Sequence, residues 1–351
     1  MMNISNLGEE LLLMIFNKLN TAIDVVRVRS VCSSWRSLLP PPSSSITRLL
    51  YSTKRYGQSF LFPCKIYRIQ PSSSNKGWII KLFQLPNSSI FYLSDLFTNT
   101  RIPTQNNKLF NFINFRVFEL FQLHALSRLY FSFQTVCYFE KVILFSVEGR
   151  CKIFALRTHG SLEVSNIGEN TNTILTGDDG NIMNFHDIIL FMEQLYVVDS
   201  GGTIFWINPL SLKIVQFYPR LFCGYETEHM PEKLKNLVEY DGSLYVVYLY
   251  IDNERYSTEV STINKFCVDV YKMDEERGKW LVVKDLGDAL FVLGKDSNFS
   301  LLAKDYYGCQ GNCIYFYWRN RVCCFSLESL KAKLVDSIFW PCPTLFHHMT
   351  S

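Results

Sequence analysis

Two stretches of this chain repeat one pattern, and the pattern admits few folds. Residues 195–215 read LYVVDSGGTIFWINPLSLKIV, and residues 314–335 read IYFYWRNRVCCFSLESLKAKLV. Each passes from a short apolar segment through a tight polar turn into a second apolar segment. A polar break ending in Ser-Leu-Lys then leads to a third. Short runs rich in Phe, Tyr, Val and Ile read as strands, and turns this tight make successive strands antiparallel. Residues 78–82, 142–147, 151–156 and 244–251 have the same character, and Glu148-Gly149-Arg150 joins two of them as Ser200-Gly201-Gly202 joins 195–198 to 203–207. Repeated antiparallel units of about 40–50 residues are the mark of a β-propeller. The roughly 300 residues available predict six or seven blades. Two-sheet sandwiches would need two or three domains in this length with no linker visible between them.

The first forty residues have a different period. Leu11, Leu12, Ile15, Phe16 and Leu19 follow the i, i+3, i+4 spacing of an amphipathic helix over residues 8–19, and Leu13 and Met14 widen the apolar stripe most of the way round. Asn6 with Glu9, and Thr21 with Asp24, have the spacing of capping boxes that open two successive helices. Prolines 40, 41 and 42 end a third. Three short helices in about 35 residues bury too little of their own apolar surface, so this segment needs a partner. The PPPSSS run at residues 40–45 is stiff and then flexible, which marks a boundary. The expected organisation is a multidomain chain: a small all-α head at 1–40, a linker at 41–45, an all-β propeller at 46–346 and a tail at 347–351.

Composition narrows the function classes. At 48% hydrophobic and 15% aromatic, 351 residues have the material for a large core. A net charge of +3 gives no argument for nucleic acid or an acidic membrane surface. Eleven cysteines leave one over after any pairing and show no framework spacing, which suits a reducing compartment. Glu9 and Glu10 stand where a secretory signal wants positive charge, and no apolar stretch reaches the ~18–20 residues that span a bilayer. The expectation is a soluble nuclear or cytoplasmic protein without membrane or nucleic-acid partners.

Several residues invite chemistry and then fail its geometry. Cys309, Cys313, Cys323 and Cys324 could make a four-thiolate zinc site, but adjacent Cys323 and Cys324 point to opposite faces of a strand. His186-Asp187, Glu228-His229 and His347-His348 lack a third group and a nucleophile in register, and their histidines read as surface or capping residues. Gly287 and Gly294 before Lys295-Asp296 have the wrong interval for a phosphate loop, and the aspartate would repel phosphate, so they are turn glycines. Asp178-Asp179-Gly180-Asn181 lacks the rest of a calcium ligand series and reads as a turn. The Phe and Tyr residues lie within alternating strands, where core packing is the default over base stacking. No catalytic, cofactor-binding or metal-ligating residue is assigned.

Two resemblances then stand on named residues. Leu7, Leu11, Leu12, Ile15 and Leu19, then Asp24, Arg27, Arg29, Val31, Cys32, Trp35 and Arg36, fall in the order and spacing of an F-box. The run D-x-x-R-x-R-x-V-C-x-x-W-R is complete over residues 24–36, and one departure is Leu7-Gly8 where F-boxes usually carry Leu-Pro. The body is similar to a plant family whose members follow an F-box with a KIB-type β-propeller. That similarity rests on Gly77-Trp78-Ile79, the Asp241-Gly242-Ser243-Leu244 turn, WLVVKDLGDALF at 280–291, Gly294, Cys313-Ile314-Tyr315-Phe316 and WPCPTLF at 340–346. Together the resemblances imply the substrate-recognition subunit of an SCF-type ubiquitin ligase, not an enzyme and needing no cofactor. The F-box would bind a Skp-type adaptor, and through it a cullin, using Leu7, Leu11, Leu12, Ile15, Leu19, Val31, Cys32 and Trp35. Propeller loops would bind an unknown target protein. The alternative is a propeller enzyme or small-ligand sensor with an incidental helical head.

Overall fold

A computed structural model describes residues 8–18, 22–29, 31–40, 50–53, 57–84, 91–99, 102, 115–127, 139–147, 149–167, 169, 171–177, 179–218, 232–251, 266–274, 276–319 and 321–335. The head is three short helices, α1 (Glu9–Phe16), α2 (Ala22–Arg29) and α3 (Ser33–Leu38). α1 begins at Gly8 as its N-cap, with no side-chain cap, so the helix starts two residues later than an Asn6–Glu9 box would set it. Asn17 and Lys18 fold their N–H groups back onto Leu13 and Ile15, which ends α1 short of residue 19. α3 is capped by sulfur: Cys32 Sγ accepts the Trp35 N–H at 3.5 Å.

The described body is built of strands, with one 3-10 turn at Ala303–Asp305. β1 (Leu50–Thr53), β2 (Gly57–Pro71), β3 (Trp78–Gln84), β4 (Phe91–Ser94), β5 (Phe115–Ser127), β6 (Phe139–Val147), β7 (Arg150–Arg157), β8 (Leu162–Asn166) and β9 (Asn172–Ile174) form one sheet. Its order is β4-β3-β2-β5-β6-β7-β8-β9, with β1 on β2. Two halves of this sheet meet, among the described residues, at the pair His124 opposite Val142. β10 (Phe185–Phe191), β11 (Gln194–Asp199), β12 (Ile204–Ile207) and β13 (Ile214–Tyr218) form a four-stranded meander. β14 (Glu232–Tyr240), β15 (Ser243–Ile251), β16 (Phe266–Asp274) and β17 (Lys279–Val283) form another. The last sheet runs β19 (Asn298–Leu302), β18 (Ala289–Leu293), β20 (Cys313–Trp318), β21 (Arg321–Ser326), β22 (Lys331–Val335), and β18 pairs with β20 in parallel.

The repeat is visible as structure. β11-β12-β13 and β20-β21-β22 are the same three-stranded meander. In each break the residue before Pro209 or Leu327 caps the turn: Asn208 Oδ1 accepts the Ser211 N–H at 3.0 Å, and Ser326 Oγ accepts the Ser329 N–H at 3.2 Å. The leucine of each Ser-Leu-Lys then lies in the left-handed region, φ 58° at Leu212 and 53° at Leu330.

Apolar cores between sheets close the body into a ring. Phe154, Leu156, Ile188 and Val197 join β6–β9 to β10–β13. Tyr196, Val198, Leu237 and Val246 join that sheet to β14–β17. Val247, Val270, Phe291 and Phe316 continue to β18–β22, and Ile66, Ile79, Val292 and Tyr315 return to the first strands. Gly202 marks a close approach on this path: at φ 86° it faces the Tyr248 hydroxyl where a Cβ would overlap it. The ring is also sealed by polar contacts. Lys81 Nζ lies 2.6 and 2.7 Å from the two Asp296 oxygens with both side chains buried, and Trp78 stacks on Tyr307 at 4.5 Å. This is a propeller architecture in which the described residues make five units, counting the first sheet as two. Length division predicts six or seven, but β1 to β5 alone span residues 50–127, well beyond an average blade.

Candidate functional site

The head divides its apolar residues into two sets. Leu12, Phe16 and Trp35 make its core, with Phe16 and Trp35 edge-to-face at 6.0 Å and Val28, Cys32 and Leu38 packed around them. Leu12 is 2% exposed and Trp35 6%, whereas Leu11 is 53%, Met14 65%, Ile15 42% and Val31 52% exposed. The anchor set expected from the sequence therefore splits: Leu12 and Trp35 face inward, because i and i+4 stack Leu12 on Phe16 against α3, while Leu11 and Ile15 lie on the outward face. Cys32 is half-buried as cap and core neighbour, and Leu7 and Leu19 lie outside the described residues.

The basic residues of the motif hold the head together. Arg29 donates to the carbonyls of Arg36, at 2.9 Å, and Leu39. Arg36 Nε donates back to the Arg29 carbonyl at 3.2 Å. These bonds satisfy carbonyls at the ends of α2 and α3, where intrahelical N–H partners run out. Arg27 pairs with Asp24 at 3.9 Å and donates to the Phe115 carbonyl of β5, which ties the head to the body.

In the body, Cys323 and Cys324 enter different inter-sheet cores, as opposite faces of β21 require. Among the described residues no group of three or more His, Cys, Asp or Glu could hold a metal. Burial pushes the Cys309 thiol up to about 12, whereas Cys324 is drawn down to about 7 by the Cys313 thiol that donates to it, against its own burial. Asp179 caps its own turn, accepting the Asn181 N–H at 3.0 Å, and Gly180 sits at φ 76°. Glu228, His229, His347 and His348 lie outside the described residues.

Two buried acids make contacts that the sequence does not point to. Asp187 is a buried junction between sheets, and His186 beside it is half-buried rather than a surface residue. Asp187 pairs with Lys141 of β6 and accepts the Leu237 N–H of β14 at 2.6 Å and Asn298 Nδ2 of β19 at 2.7 Å. Burial pushes its carboxyl up, and Lys141 with the Leu237 and Ile188 N–H groups works against that rise. Asp296 is the other, buried against Lys81. Their partners lie 46 to 215 residues away by numbering, so no local pattern could have found them.

Comparison with known proteins matches both parts. Residues 47–331 fit the KIB1-4 beta-propeller family model and residues 4–43 the F-box-like model. The Arabidopsis thaliana F-box protein At2g26160 is 31% identical over 332 residues, covering 89% of this chain and 94% of that protein. The F-box protein At4g35733 of the same plant is 30% identical over 352 residues, covering 96% of each. F-box protein SKIP23, also from Arabidopsis thaliana, is 27% identical over 400 residues, with 98% and 95% covered.

Proposed function

This chain belongs to the KIB1-4 β-propeller family of F-box proteins, and from that premise we propose that it is the substrate receptor of an SCF-type ubiquitin ligase, acting in the nucleus or cytosol. The observation that carries the reading is the exposed stripe of Leu11, Met14 and Ile15 on α1, with Val31 beyond it, on a head whose own core is already filled by Leu12, Phe16 and Trp35. A contiguous apolar face of this kind marks a protein contact. Its partner is a Skp-type adaptor, which brings the cullin. The chain itself carries out no bond chemistry. It raises the concentration of a bound target's lysines near a ubiquitin-charged enzyme held elsewhere in the complex. The Arg27–Phe115 contact gives the head a defined orientation on the body, so that the target is presented in one direction.

The test is co-assembly of the purified full chain with a Skp-type adaptor. Leu11→Ala with Ile15→Ala should weaken adaptor binding by at least about 2 kcal/mol while the far-ultraviolet spectrum stays unchanged, since centrally placed apolar anchors dominate such interfaces. Full adaptor affinity in that double variant, or no assembly by the unmodified chain, removes this reading and favours a stand-alone propeller enzyme or ligand sensor.

A further inference from the structure

The ring encloses a cavity of about 540 Å³, with walls drawn from β5, β6, β10, β14 and the β18–β19 segment. Exposure divides its lining into a floor and a mouth. At the floor, Lys141, Asp296 and Ser297 are buried. Lys141 is neutralised by Asp187 and Asp296 by Lys81, so the floor is closed and carries no net charge. Asn298 spends its Nδ2 on Asp187 and leaves a buried Oδ1 without a hydrogen-bond partner. Phe121, Leu144 and Phe299 make an apolar wall. At the mouth, Gln122, Leu190, Glu239 and Asp241 are exposed. Neither Glu239 nor Asp241 makes an ion pair among the described residues.

We propose that this mouth reads the target protein, and that it takes a segment in which a lysine or arginine adjoins a bulky apolar residue. The inference rests on the substrate-receptor reading and names the class of target. The apolar side chain enters past Leu190 toward the wall, where it leaves water without displacing a charge. The neighbouring cation settles against Glu239 and Asp241, neither of which is in an ion pair among the described residues. An acidic or phosphorylated segment would meet two carboxylates and be repelled. The Asp187 and Asp296 pairs keep the floor from competing: their charges are already matched, so selection falls to the mouth.

The experiment uses the full chain in complex with its adaptor and three pools of fluorescein-labelled nine-residue peptides. Each pool has a central leucine, phenylalanine or methionine, flanked by arginine and lysine, by serine, or by glutamate. Anisotropy should show the basic pool binding at least tenfold more tightly than the serine pool, with no binding by the acidic pool. Glu239→Gln with Asp241→Asn should abolish the preference. Both exchanges suit the fold, since Glu239 is exposed and asparagine accepts the left-handed φ of 50° at position 241. Equal binding of the basic and serine pools, a preference for the acidic pool, or a basic preference that survives the double exchange overturns the inference. Adaptor capture read in parallel separates the two claims. An intact adaptor complex that binds no pool overturns the inference alone, and a basic preference without adaptor capture overturns the ligase reading alone.

Discussion

Single residues in this protein hold conformations that their side chains do not favour, and each gives a measurable consequence. Leu330 sits at φ 53° and is 68% exposed, so it carries left-handed strain and loses little packing if shortened. Leu330→Gly should raise unfolding stability by about 0.5–1 kcal/mol in urea titration, because relief of the left-handed penalty exceeds the extra entropy of an unfolded glycine. No gain would mean that the turn is held for another reason. Leu212 has the same φ but packs against the Phe154–Val197 core, so its glycine variant should gain nothing. Two histidines give a pH signature. Burial lowers His124 and His186 from 6.5 to about 4, with Lys235 adding to the effect at His186. The unfolded chain therefore binds more protons than the folded one between pH 6.5 and 4. The stability these rings contribute is complete above pH 6.5 and is lost as pH falls through that window. The slope is at most about 1.4 kcal/mol per pH unit for each, reduced by the water that reaches both half-buried rings. His124→Gln with His186→Gln should flatten the urea midpoint across that range, and an unchanged slope would refute the assignment.

At the scale of elements, the start of α1 is where the chain has Leu7-Gly8 in place of the Leu-Pro usual in an F-box. Gly8 has φ −59° and ψ 146°, and a Cβ there would meet nothing within 4 Å. That φ is the angle a proline ring enforces. Gly8→Pro should tighten adaptor binding by about 0.4–1 kcal/mol, by removing freedom from the unpartnered helix start. Weaker binding by calorimetry would show that the glycine's N–H is needed. Elements of this kind were legible in the sequence because they depend on neighbours in the chain. The strands on either side of Glu148-Gly149-Arg150 and Ser200-Gly201-Gly202 formed where period and turn chemistry put them, and the repeated Ser-Leu-Lys breaks kept even the same cap. The facing of α1 was half legible. An apolar stripe wider than one face shows that two sides are covered, but only the position of α3 decides that Leu12 goes in and Leu11 stays out. Asp187 and the mouth acids Glu239 and Asp241 were not legible, since ring closure alone brings β6, β10, β14 and β19 around one space.

The whole molecule is a ring closed by residues far apart in the chain, and its seam is charged. Lys81→Met alone should destabilise the body by about 3–5 kcal/mol, because it leaves Asp296 buried without its partner. Lys81→Met with Asp296→Leu should recover most of that loss, because two apolar groups need no solvation; a double variant as unstable as the single one would show that the seam depends on the ion pair itself. The seam also sets an order of events during synthesis. The helical head lies within the first 40 residues, whereas Asp296 leaves the ribosome only after some 250 more have been added. At about 5–20 residues per second that interval is on the order of tens of seconds. For that time a nascent chain has all the residues of its head and none of the β18–β19 wall of its cavity, so on the proposed function the adaptor surface is complete before the target-reading mouth is.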